Sequence, residues 1–189
     1  MLKFVVFTAL LFLSTVMVNG GSISEGDKIV PWALQDNKGT MMKSGDFNGK
    51  VLMVNYLSPD ESDLNSHLAE VLENAMKNGT LSPEKCVSMG IIDCKASWKP
   101  DYLIREFASR KVEKFSVSKV QLLFDYKASI RNEWGFEKGS SNIIIIDKNG
   151  VCRAVVKGRV PDDKLDDLLN LVKFLQNEAE TEIVAVAGL

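Results

Sequence analysis

The sequence predicts an α/β fold: a central mixed β-sheet flanked by helices, with a β-hairpin extension on its N-terminal side. Three observations carry this. Two apolar runs, Val51–Leu57 and residues 142–147, are bounded by turn residues, as buried strands are. Segments with apolar residues at 3.6-residue spacing lie between and after the runs, giving the strand-helix alternation of an α/β domain. Lys148-Asn149-Gly150 joins the second run to a further strand through the Asn-Gly signal of a tight hairpin.

The elements follow in order. Residues 25–39 read as an extended lead-in, a β-hairpin turning at Asn37-Lys38-Gly39. Gly49-Lys50 then opens the strand Val51–Leu57. Over residues 59–77 the positions Leu64, Leu68, Val71, Leu72, Ala75 and Met76 share one face, which predicts a helix ending at Asn78-Gly79. Its start reads as a capping box, with Ser58 as N-cap, Pro59 at the first helical position and Glu61 reaching back to the Ser58 backbone N–H. Asp60 adds negative charge at the positive end of the helix dipole. A strand is expected at Cys86–Asp93, a helix over 101–111, a short strand over 120–124 and one or two helical turns over 127–134. After the returning strand at 151–157, Pro161-Asp162-Asp163 opens a last helix whose buried stripe is Leu165, Leu168, Leu169, Val172 and Leu175.

Composition sets bounds on this picture. With 189 residues, 46% of them hydrophobic and 25% charged, the balance is that of one soluble globular domain. Lys3, the uncharged apolar stretch 4–13 and a small-residue exit through Gly20-Gly21-Ser22 describe a secretory signal peptide over 1–21, too short to prefer a membrane span. The domain then occupies 22–177, with a short tail over 178–189. Cleavage removes Lys3 and no acid, leaving 22 basic against 25 acidic residues. That balance offers nothing to a nucleic acid, and no membrane attachment is expected after cleavage. The three cysteines, Cys86, Cys94 and Cys152, form no CxxC, and their odd number leaves at least one thiol free or paired to another molecule.

Several short motifs recur in a specific order: Gly26 with Val30-Pro31, Gly49-Lys50, Leu123-Phe124-Asp125-Tyr126-Lys127-Ala128 followed by Trp134-Gly135, and Ile146-Asp147-Lys148-Asn149-Gly150. Together they resemble the thioredoxin-like superfamily, in its redoxin and peroxiredoxin-like branch, over residues 23–177. More narrowly, Ser140-Ser141-Asn142 running through the isoleucine strand to Asn149-Gly150, without catalytic cysteines, is similar to the YtfJ family of small exported bacterial proteins. The resemblance implies a periplasmic location and a core sheet of four strands. With Val51–Leu57, Cys86–Asp93, 142–147 and 151–157 counted one to four, the implied order is 4-3-1-2, strand two parallel to strand one and strand three antiparallel to both. It also puts the two thiol positions of the superfamily at Glu61 and Leu64, and its cis-proline position at Ser141. Glutamate and leucine cannot supply the thiolate that disulfide exchange requires. Without proline, the Ser140-Ser141 peptide is expected to be trans.

On the implied topology Cys94 reaches the same sheet edge as Ser58 and Ser141. Cys86 and Cys152 fall on the two outermost strands, too far apart for a disulfide, and read as small core residues. The expected site is a groove among Ser58, Asp60, Glu61, Cys94, Ser141 and Asn142, binding an envelope protein or peptide without catalysis and without a cofactor. The alternative is a single-cysteine thiol oxidoreductase or peroxidase acting through Cys94. Trp98 and Tyr102 either line the cleft or, the favoured expectation, pack their helix onto the sheet. Asp63 and His67, four apart on the predicted helix, offer two metal ligands, too few for a tight site. Asp162, Asp163, Asp166 and Asp167 read as helix-terminus charge followed by a solvated face.

Overall fold

The computed structural model describes residues 21–178; the segment up to residue 20, on which the expected signal peptide falls, and the tail beyond 178 lie outside the described residues. The chain runs β1 (Ala33–Asp36), β2 (Met41–Lys43), β3 (Val51–Leu57), α1 (Ser66–Lys77), β4 (Cys86–Asp93), α2 (Asp101–Val112), β5 (Gln121–Asp125), α3 (Ser129–Glu133), β6 (Ser141–Ile146), β7 (Cys152–Lys157) and α4 (Leu165–Asn177).

Six of the seven β3 residues are buried, because helices or loops cover the strand on both faces, and its sequence is accordingly a nearly continuous apolar run. β3 pairs in parallel with β4 and antiparallel with β6. The sheet has seven strands among the described residues, in the order β2-β1-β5-β4-β3-β6-β7, so the four-strand order 4-3-1-2 does not describe it. The four strands counted in the sequence lie side by side as β7-β6-β3-β4, and β5, β1 and β2 continue the sheet beyond β4. The reason lies in β5. Its Leu122, Leu123 and Phe124 are all buried, and a buried strand must satisfy both backbone edges; β5 does so with β4 on one side and β1 on the other. β1 pairs antiparallel with β2 and joins the main sheet through β5. Cys86 therefore sits inside the sheet rather than on an outermost strand, with β3 and β6 between it and Cys152 on β7. All three cysteines are buried and free.

Alternate residues sort the core onto the two faces. Leu52, Val54 and Tyr56 pack with Ile23, Trp32, Ile130, Trp134 and Phe136 under the N-terminal segment and α3. On the opposite face Val51, Met53, Ile143 and Ile145 meet α1 and α4, while Leu57, Ile92, Leu122 and Phe124 meet Ile104 of α2 in a separate cluster.

Two helix starts differ from the sequence expectation. α1 begins at Ser66, preceded by a 3-10 turn at Pro59–Glu61 and further turns, rather than near residue 59. α4 begins at Leu165, after a 3-10 turn at Asp162–Lys164 behind Pro161.

Candidate functional site

The site is built where β3 and β4 end and β6 begins. Antiparallel pairing with β6 extends past Leu57 opposite Ser141, and the Ser58 N–H donates to the Ser140 carbonyl at 3.0 Å. That donor is therefore unavailable to Glu61, which is why the reciprocal half of the expected capping box is absent. Ser58 caps only the short turn, its hydroxyl accepting from the Asp60 N–H at 3.4 Å with Pro59 at the first position. Neither of the two positions at which the resemblance puts a thiol lies on an α-helix N-terminus: Glu61 closes the 3-10 turn and Leu64 sits in the turn before α1. They carry neither a thiol nor the α-helix dipole that would activate one.

What delays α1 is Asn65, a residue the sequence reading did not select. Its amide turns inward, donating to Ser141 Oγ at 3.1 Å and to the Gly158 carbonyl at 3.0 Å, while its oxygen accepts from the Val160 N–H at 2.8 Å. Ser141 Oγ in turn donates to Asn55 Oδ1 at 3.2 Å. Asn142 donates to Ser140 Oγ at 2.8 Å. Ser58, Asn65, Ser141 and Asn142 are all buried, and their side chains are satisfied within the fold. The Ser140-Ser141 peptide is trans, since no cis bond occurs among the described residues.

Cys94 follows β4 directly, at the start of the 3-10 turn Cys94–Ala96, and only 3% of it is exposed. It packs with Leu57, Ile92, Ile104, Leu122 and Phe124. Burial first, then the Asp101, Asp93 and Asp125 carboxylates, push its thiol up to about 12. Burial likewise raises Cys86 and Cys152 to about 11.

Beside Cys94 lies a buried polar cluster that the sequence reading also passed over. Asp93 and Asp125 are opposite one another on β4 and β5. Arg131 reaches Asp93 at 2.7 Å. Asp125 accepts from the Ser129 and Ile130 N–H groups at 2.8 and 2.9 Å, holding the start of α3, and from the Tyr56 hydroxyl at 3.2 Å. Burial, reinforced by Asp125 and Asp93, raises the Tyr56 phenol far above its ordinary value, so it serves only as a donor. In the sequence Asp125 stands within the Leu123–Ala128 motif, and Asn55, the partner of Ser141, is a polar residue inside an otherwise apolar strand.

The outer surface of the same end differs from expectation. Trp98 is 87% exposed and Tyr102 68% exposed, so neither packs its helix onto the sheet. Ile104 supplies that contact from the opposite side of α2. Lys99 pairs with Asp60, tying the segment that carries Trp98 to the turn after β3. Asp63 pairs with Lys111 and His67 with the Val160 carbonyl and Asp162, so the two candidate metal ligands point to different partners. Among the described residues no group of three or more His, Cys, Asp or Glu side chains converges as a metal centre would.

Solved structures share this architecture at low identity. They include the thioredoxin domain of a thiol-disulfide oxidoreductase from Bacteroides vulgatus, 17% identical with a TM-score of 0.58, covering 82% of this chain and 99% of that one. Thiol peroxidase from Chromobacterium violaceum is 15% identical with a TM-score of 0.59, covering 82% of this chain and 89% of that one. A peroxiredoxin-like protein from Aquifex aeolicus is 16% identical with a TM-score of 0.57, covering 82% and 90%. The fold is thus thioredoxin-like. An uncharacterized protein of Haemophilus influenzae is 33% identical over 55 residues, which span 29% of this chain and 30% of that relative's length. Residues 22–175 match the family described as bacterial protein of unknown function, YtfJ_HI0045, and the chain belongs to that family.

Proposed function

We propose that this protein acts by binding a protein or peptide of the bacterial envelope, without thiol chemistry, at the sheet end where the superfamily normally carries its cysteines. The observation that carries the reading is the contrast between inside and outside at that end. Ser58, Cys94, Ser141 and Asn142 are buried, and the serines and Asn142 are committed to partners within the fold, whereas Trp98 and Tyr102 stand in solvent beside the Asp60–Lys99 pair. Exposed Trp and Tyr supply large contact area at low entropy cost and are enriched where interfaces carry their energy. Asp60 and Glu61 remain as the polar rim of that surface. The buried, apolar surroundings of Cys94 count against a single-cysteine peroxidase or oxidoreductase, because its thiolate is scarce at neutral pH. Export with loss of residues 1–21 and no membrane attachment afterwards belong to this reading, supported by Lys3, the apolar stretch 4–13 and the small-residue exit at Gly20-Gly21-Ser22.

A photo-reactive residue placed at position 102 in cells tests the reading, with position 41 on the edge strand β2 as control. Discrete adducts at 102 that disappear in Trp98→Ala are expected, together with slow alkylation of folded Cys94 up to pH 8. Equal labelling at 41 and 102, or Cys94 alkylation with an apparent pKa below about 7, would overturn it.

A further inference from the structure

The sheet face that carries α1, α2 and α4 holds two hydrophobic clusters that do not merge. Between them lies a cavity of about 130 Å³. Its floor is β4 at Ser88 and Gly90, where a larger side chain would have filled the gap, and its walls are Leu68 and Leu72 of α1 and Val112 and Phe115 at the end of α2. A second depression of about 330 Å³ adjoins it along α2, past Pro59, Lys99 and Phe107. The two share Ser62, Ile92, Ala108 and Lys111, so these four residues form a neck between the largely apolar cavity and the depression along α2.

The neck is polar on one side only. Lys111 Nζ donates to Ser62 Oγ at 2.9 Å and holds the carboxylate of Asp63, whose side chain is 84% exposed. Lys99 with Asp60 and Lys114 with Glu70 make parallel connections from the α2 side to the α1 side. Each of these pairs has a solvent-exposed carboxylate, and such pairs are weak and salt-screened. Together they form an ionic clasp across the cleft that another carboxylate can enter by exchange with Asp63. Protein interiors are close-packed, and an apolar void of this size is costly unless something occupies it. An apolar cavity of about 150 Å³ accommodates a benzene-sized group.

We propose that this cavity binds a single-chain aliphatic carboxylate of about five to six carbons, its tail between α1 and α2 and its carboxylate on Lys111 and Ser62 at the neck. The Asp60–Lys99 pair borders both this site and the Trp98–Tyr102 surface, but the carboxylate assignment is argued from the cavity, Lys111 and Ser62 and does not rest on the proposed function.

Calorimetric titration of the protein with hexanoate and with 1-hexanol, which has the same tail length and no charge, tests the assignment. Hexanoate is expected to bind. Lys111→Gln should weaken hexanoate about tenfold while changing hexanol less than about twofold. Filling the cavity with Ser88→Leu, or from α1 with Ala69→Leu if the first variant does not fold cooperatively, should abolish both. Absence of hexanoate binding, hexanoate binding that survives a folded filling variant, or equal weakening of hexanoate and hexanol by Lys111→Gln would each overturn the proposal.

Discussion

Asn65 does at the residue scale what no local rule in its sequence neighbourhood predicts. One side chain satisfies a carbonyl, a hydroxyl and a backbone N–H from β6 and the segment after β7, and this draws the chain inward before α1 begins. Because each abandoned buried polar group costs its own desolvation, Asn65→Ala should destabilise the fold by about 2–4 kcal/mol, read from urea unfolding at neutral pH. Asn55 was visible in the sequence as a polar break in an apolar strand, but Asn65 sits in a polar, turn-like stretch where asparagine is ordinary. Its importance comes from partners 76 to 95 residues away. Trp98 and Tyr102 were misread for a related reason. Aromatic size argues for burial, whereas which side of α2 meets the sheet is set by Ile104.

Between elements, the link from α1 to the segment entering β5 depends on Glu73. This buried carboxylate accepts from the Val117 and Ser118 N–H groups at 3.1 and 2.9 Å and pairs with Lys77 at 3.3 Å. Burial works to raise its pKa, but the hydrogen bonds from Ser118 and Val117 and the Lys77 ammonium outweigh it and hold Glu73 down to about 2, from an ordinary 4.5. A carboxylate whose folded value is depressed contributes stability that is fully present above its unfolded value and lost as pH falls. The window here runs from about 4.5 down to about 2. Glu73→Gln should therefore lose up to about 3 kcal/mol at pH 7 and converge on the parent protein as pH approaches 2. Urea midpoints of both proteins between pH 7 and 2.5 check this. The two helix starts that differ from the sequence reading belong at this scale. Proline and acids at residues 59–61 and 161–163 are genuine start signals, yet here they open 3-10 turns. Capping chemistry marks where a helical turn begins; it does not say whether tertiary bonds let the α-helix continue from there.

Across the whole molecule, the N-terminal segment closes one face of the sheet and the motif Trp134-Gly135 shows how. The Ile23 N–H donates to the Trp134 carbonyl at 3.0 Å, and Gly135 has φ +62° with the Ser22 backbone so close that an added Cβ would lie 2.7 Å from its Cα. Gly135→Ala combines left-handed strain with that clash and should cost about 1–3 kcal/mol, with residues 22–24 released first, read as faster amide exchange at Ile23. The sequence by itself determined the strands, their apolar character, the Asn149-Gly150 hairpin, the absence of CxxC and the α/β class, because periodicity and turn chemistry are local properties, while the thioredoxin-like class came from the resemblance of its motifs to a known family. Only the tertiary structure decided that β5 carries the sheet on to β1 and β2, that Ser141 and Asn142 are locked inside while Trp98 and Tyr102 are displayed, and that a cavity opens over Gly90. Those outcomes depend on which distant groups meet, since sheet neighbours, buried polar partners and packing gaps are set by contacts between segments far apart in the chain.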